Sequence, residues 1–175
     1  MKKDKKYEHF VSELQRLIDI DQSARSDPNI IRDGLDKVNK QINPEIKKLI
    51  AEYDFPTISK VGKQGSQNAF CLVQHQVEDL EFQKEFLLQA EGLPETEYVG
   101  VWYALLFDRV AVNSGLLQRF GTQCITKDGV TEIEPLEFSE LETNKLRKEY
   151  NIIPYSLEEY RILMNGDDSV LDKYL

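Results

Sequence analysis

Four groups of polar side chains stand where the surrounding pattern calls for apolar ones, and these are the groups with which the chain could do chemistry. In Asp21-Gln22-x-x-Arg25 the carboxylate and guanidinium extend the inward stripe set by Leu14 and Ile18. Their i, i+4 spacing makes them neighbours, worth about 0.2–0.5 kcal/mol if solvated. Buried, they must satisfy each other or a ligand, because an unpaired buried charge is costly. Gln74-His75 lies at the end of an apolar helical run, and His75 is one of two histidines, the other being His9. Asp108-Arg109 interrupts the most apolar stretch of the chain. Adjacent helical residues point about 100° apart, so at least one of this pair needs a partner on another element. Gln118-x-Phe120-Gly121-Thr122-Gln123 offers amides, a hydroxyl and a glycine at which the backbone can turn or approach a ligand.

In a working site His75 is the candidate acid/base, and Asp108 its orienter or a second acid/base. Arg25 and Arg109 are the anion clamps; Asp21, Gln22, Gln74, Gln118, Thr122, Gln123 and Arg147 are the remaining ligand-binding candidates. Asp108 is expected to be held by a cation from another segment, first Arg25 and then Arg147, with His75 and Gln123 within reach. Each group also has a structural reading: a helix-end ion pair, a packed histidine, a buried ion network, a turn. No metal or cofactor is expected. His75-x-x-x-Asp79 could set two ligands on one helix face, but no third or fourth can be named. Neither Gly-x-x-x-x-Gly-Lys nor Gly-x-Gly-x-x-Gly occurs, so there is no phosphate loop. Cys71 stands one turn before His75, where helical packing accounts for it equally well.

The elements that must position these groups read as successive helices. Tyr7, Phe10, Val11, Leu14, Leu17 and Ile18 recur at helical spacing until Asp27-Pro28. A second stretch carries Leu35, Val38 and Ile42, and Asn43-Pro44 is expected to restart it as cap and first turn before Ile46, Leu49, Ile50 and Tyr53. Gly62 and Gly65 bracket a turn, after which Ser66 caps a helix through Ala69, Phe70, Leu72, Val73 and Val77. Leu80, Phe82, Phe86, Leu87 and Ala90 form the next. Residues 99 to 112 are apolar nearly all round, predicting the most buried helix, with Trp102, Leu105 and Leu106 out of water. Thr122 to Thr126 and Val130 to Ile133 flank Asp128-Gly129 as a hairpin. Two helices finish the chain, Glu140 to Tyr150 and Leu157 to Met164, the last with Ser156 and Glu159 at capping-box spacing. The expected fold is mainly α: a compact bundle of six or seven helices with one small β-hairpin near residues 122–134. The 175 residues suit a single domain, with 1–6 and 166–175 loosely ordered.

Composition narrows the partners. With a net charge of −9, a pI of about 4.8 and no Lys/Arg stripe interleaved with aromatics, the chain is poorly suited to nucleic acid or anionic membranes. The basic start runs into Tyr7-Glu8-His9 rather than an apolar stretch, so no signal peptide is read, and no apolar run approaches a membrane span. Cys71 and Cys124 form no disulfide framework. A reducing cytoplasm is the expected setting; the oligomeric state is not legible.

In this order the polar groups resemble a bacterial family, the domain of unknown function 6624. The resemblance is carried by Asp21-Gln22-x-x-Arg25, Phe55-Pro56-Thr57-x-Ser59-x-Val61-Gly62 and Ala69-Phe70-x-x-Val73-Gln74-His75. It continues through Leu106-x-Asp108-Arg109-Val110, Gln118-x-Phe120-Gly121-Thr122-Gln123 and Arg147 before Tyr150. The family pattern has Gly-Trp-Pro where this chain has Asp54-Phe55-Pro56, Tyr for Phe120 and Arg for Leu146. The resemblance implies a motif set and no mechanism. Two functional classes follow from the residues. In one, the polar positions line a pocket for a small polar or anionic ligand, with hydrolase or transferase chemistry a further option. In the other, the chain is a protein-interaction module of immunity, antitoxin or anti-defence type, whose acidic surface meets a basic partner.

Overall fold

The computed structural model describes residues 5–174, and the chain divides into two compact units, Met1–Val99 and Gly100–Leu175. The protein is mainly α. Among the described residues there are seven α-helices, two 3-10 helices and one two-stranded antiparallel hairpin. None of these helices is long and apolar enough to cross a membrane.

In the first unit a 3-10 turn at Lys5–Tyr7 leads into α1 (Glu8–Ser26), α2 (Arg32–Tyr53), α3 (Ile58–Gln74) and α4 (Leu80–Ala90). Phe10, Leu14, Leu17 and Ile18 bury one face of α1, which packs on α2 and α3. The expected restart at Asn43-Pro44 does not occur: α2 runs straight through Pro44. An interior proline costs about 3 kcal/mol. Here Ile42, Ile46, Leu49 and Ile50, buried on both sides of it, hold the helix. The turn expected between Gly62 and Gly65 contracts to a kink at Gly62, with φ 75° and ψ 165°. Gly65 and Ser66 lie inside α3, so Ser66 is not a cap. Nor does α3 reach Val77, which is exposed; it ends at Gln74, with His75 as its C-cap. Gln83 seals that end by donating to the carbonyls of Val73 and Gln74. Asp79 begins α4 by accepting from the Phe82 amide. His75 and Asp79 therefore stand on different elements, His75 capping the end of α3 and Asp79 the start of α4, and do not share one helix face.

The second unit holds α5 (Gly100–Asn113), β1 (Cys124–Lys127), β2 (Val130–Ile133), α6 (Glu140–Glu149) and α7 (Leu157–Met164). The hairpin pairs Cys124 with Ile133 through Lys127 with Val130. Asp128 and Gly129 take the positive φ values, 51° and 80°, that its two-residue turn demands. Trp102 and Leu106 on α5 are buried as expected; Leu105 is only half-buried, because the burial alternates onto 102, 104, 106, 108 and 110. The capping box expected at Ser156 and Glu159 is not formed. Ser139 and Glu142 form one at the start of α6 instead. Of the ends expected to be loose, residues 1–4 and 175 lie outside the described residues. The described tail is a 3-10 helix, Asp168–Tyr174, whose Tyr174 hydroxyl donates to Glu159 and accepts from the Tyr155 amide.

Candidate functional site

Asp21 comes off the buried stripe of α1, and its carboxylate is 1% exposed. It accepts from Arg25 Nε, one turn on, at 3.0 and 3.1 Å, and from Gln22 Nε2 at 2.8 Å. The end of α3 brings His75 onto the same carboxylate, with Nδ1 at 2.9 and 3.1 Å from its oxygens. Arg25 reaches further, donating from Nη2 to Asn39 Oδ1 on α2 at 3.1 Å. Burial alone would raise the Asp21 carboxyl, but the hydrogen bonds from His75 and Arg25 outweigh it and hold it below the usual range. An ionised Asp21 on Nδ1 fixes the imidazole tautomer that leaves Nε2 as a base. Cys71, beside the cluster, is pushed up by burial and by the Asp21 charge; it stays a thiol, not an activated nucleophile.

Asn39 belongs to a second feature as well. It lines a cavity of about 250 Å³ together with Lys40 and Asn43 from α2 and with Gln76, Glu78 and Asp79 from the connection to α4. Lys40 pairs with Glu78 at 3.2 Å, while Asp79 receives Lys47 Nζ at 2.8 Å and Asn43 Nδ2 at 3.1 Å.

In the second unit Asp108 is fully buried, and the expectation that a cation holds it is wrong. Backbone amides do so: Arg119 N at 2.8 Å, Phe120 N at 3.0 and 3.1 Å and Thr122 N at 2.9 Å, joined by Thr122 Oγ1 at 3.0 Å. Arg25, the first candidate, is on Asp21. Arg147, the second, donates to the carbonyls of the same loop, Phe120 O at 2.9 Å and Gly121 O at 3.2 Å, and through Nε and Nη2 to Pro154 O. The peptide groups of residues 119–122 thus turn their N–H ends to a carboxylate and their C=O ends to a guanidinium. Burial pushes the Asp108 carboxyl up against the pull of those donors. It also lowers Arg147 to about 10, against the pull of Tyr160 and Asp108. Gly121, at φ 66°, permits the turn, and an added Cβ would lie 2.5 Å from Leu157 Cδ2. Gln118 closes the loop: its Oε1 accepts from Gln123 N and its Nε2 donates to Gln123 O and Glu134 O. Gln123 Nε2 donates to Thr122 Oγ1, and Arg109 is half-buried on α5.

A family described as "Family of unknown function (DUF6624)" matches residues 19–171. The chain belongs to this family. No curated protein and no solved structure matches it.

In this DUF6624 protein Phe55, Phe120 and Leu146 take packed apolar positions. Phe55 packs on Phe86 and Tyr98, with ring centroids 4.6 and 5.4 Å away; Phe120 packs on Tyr150 at 4.8 Å; Leu146 flanks the small core of Ala104, Phe120 and Ile152. The first unit brings Asp21, Gln22, Arg25 and His75 together. The second brings Asp108, Gln118, Thr122, Gln123 and Arg147 onto one loop. Sequence reasoning missed Asn39, Asn43 and Gln76. Asn39 had a usable signal: beside Val38 and one turn after Leu35, it is a polar residue on the inner stripe of α2, the same anomaly that marked Asp21.

Proposed function

We propose that the Asp21–His75–Arg25 cluster and the adjoining cavity form a site for a small polar or anionic ligand, with His75 as its acid/base and Asp21 as the group that orients it. One observation carries this reading: a buried carboxylate holds both an imidazole and a guanidinium, each side chain partly exposed, at 19% and 26%. A network serving only the fold has no need to leave both partners open to solvent. The loop around Asp108 and Arg147 has the opposite character, with both charged groups buried and bonded within the unit. We therefore assign Asp108, Gln118, Thr122, Gln123 and Arg147 to positioning the fold, and the acid/base role to His75.

The test is a thermal-shift screen of the purified protein against small phosphates, sulfates and polycarboxylates, repeated on His75→Gln and Arg25→Lys. A ligand present at about 100 times its Kd adds about 2.7 kcal/mol, or roughly 5–10 °C for a chain of this length. Stabilisation of the wild type that either variant loses supports the site. No stabilisation, or equal stabilisation of all three proteins, defeats it.

A different observation favours the interaction-module reading: Leu116, Leu117, Leu141 and Phe138 are exposed in the second unit. On that reading Leu117→Glu combined with Leu141→Glu abolishes the cellular phenotype at unchanged melting temperature, and His75→Gln leaves the phenotype intact.

A further inference from the structure

Three carboxamides face the cavity of the first unit, and each is already committed on one side. Asn39 accepts from Arg25 through Oδ1, so its NH2 group is the side left over. Asn43 donates from Nδ2 to Asp79, leaving Oδ1. Gln76 donates from Nε2 to Leu72 O at 3.1 Å, leaving Oε1. The residue is only 3% exposed, and that oxygen has no hydrogen-bond partner among the described residues.

The leftover sides make a pattern of two acceptors and one donor. We infer that this cavity binds the edge of a primary carboxamide, or of a heterocycle with the same edge: N–H donors to Gln76 Oε1 and Asn43 Oδ1 beside a carbonyl that accepts from Asn39 Nδ2. The inference rests on the site proposed above and narrows its ligand to a molecule bearing such an edge. The shared residue Asn39 places the edge next to the Arg25 and His75 cluster. A carboxylate or phosphate is excluded from this subsite because its oxygens would meet the two carbonyl oxygens with no proton between them. The cation on the cavity wall, Lys40, is held by Glu78, and the Asp79 carboxylate by Lys47. The wall therefore presents paired charges with the amides between them. Rejection of a group that leaves such amides unpaired is stronger than rejection by shape.

The experiment uses benzamide, benzoate and benzamidine, three probes of nearly one shape, titrated into the full chain and followed by protein-detected NMR. The wild type is expected to bind benzamide at least tenfold more tightly than benzoate. The wild type is expected to bind benzamide more tightly than benzamidine too; Asn39→Asp keeps an acceptor for Arg25 but turns the one donor into an acceptor, so it should prefer benzamidine to benzamide. That variant retains the Arg25 contact, and its melting temperature shows whether it is folded. Benzoate binding to the wild type as tightly as benzamide, benzamide still preferred to benzamidine in Asn39→Asp, or no binding of any probe at 20 mM overturns the inference. If amide binding fails while anions still stabilise the wild type and not His75→Gln, this inference alone falls. If amide binding holds but no ligand depends on His75 or Arg25, the acid/base reading falls instead.

Discussion

Asp21 is the residue on which the first unit's polar chemistry converges, and its removal should be felt by two partners at once. Asp21→Asn keeps the shape and loses the charge, weakening the bonds from His75 and Arg25. A loss of about 2 kcal/mol is expected, because hydrogen bonds to charged groups contribute about 1.5–3 kcal/mol. In a chain of this size that is roughly 4–8 °C of melting temperature. The pH dependence has a definite sign. The folded carboxyl lies below its unfolded value, so its stabilisation is complete above the unfolded pKa and disappears as pH falls through the folded one. Denaturant melts of Asp21→Asn between pH 7 and pH 3 should therefore show a shallower acid limb than wild type; parallel limbs would mean that Asp21 is not held low. Asp21, Arg25 and His75 were legible in the sequence because a charge on an apolar stripe is conspicuous. The partner of Asp108 was not. Its donors are backbone amides, which leave no mark in a side-chain pattern, and reasoning from side chains looked for a cation instead.

At the scale of elements, two pairs of substitutions separate packing from backbone geometry. Leu106 is fully buried on α5 and Leu105 half-buried. Leu106→Ala should cost on the order of 2–5 kcal/mol, and Leu105→Ala distinctly less. Equal losses in urea melts would show that the alternation along α5 has no energetic weight. Gly62 and Gly121 both have positive φ, but nothing lies within 4 Å of a Cβ built on Gly62, whereas one on Gly121 strikes Leu157. Gly62→Ala should cost about 1–3 kcal/mol of strain alone. Gly121→Ala adds an overpacking cost of about 1–3 kcal/mol, so it should be the more damaging of the two by calorimetry. The helices at 8–26, 80–90, 140–149 and 157–164 and the hairpin were legible because apolar period, Asp128-Gly129 and prolines agreed. The continuous α2 was not. Proline reads as a boundary in local terms, and only burial on both sides of Pro44 overrides it. Ser66 failed as a cap because α3 runs through it, and Ser156 stands at the N-cap of α7 without its side chain making the cap hydrogen bond; composition encodes neither.

The whole chain carries 31 acidic and 22 basic side chains, and several carboxylates are held below their ordinary range. Lys47 does this for Asp79, Ser59 for Glu97 and Arg161 for Glu140, as His75 and Arg25 do for Asp21. Each contributes stability above its unfolded pKa that is lost as protons bind. Asp108, pushed up by burial, works in the opposite direction. Glu142 and Asp167 are held low too, by Ser139 and Ser169; six against one, the urea midpoint should fall as pH drops from 6 to 4, and a midpoint that rises would mean that burial of carboxyls, not their partners, dominates. The acidic balance and the Asp21–Arg25 pair were legible from the sequence, whereas the partners of Asp79, Glu97 and Glu140 were not, since they come from distant turns and helices. The loop at residues 119–122 has a kinetic consequence as well. Its amides at Arg119, Phe120 and Thr122 are each locked onto a buried carboxylate while Arg147 grips the carbonyl side, so opening it separates both charges from their partners. In deuterium oxide these three protons, though they belong to no helix or strand, should be retained as long as those inside α5.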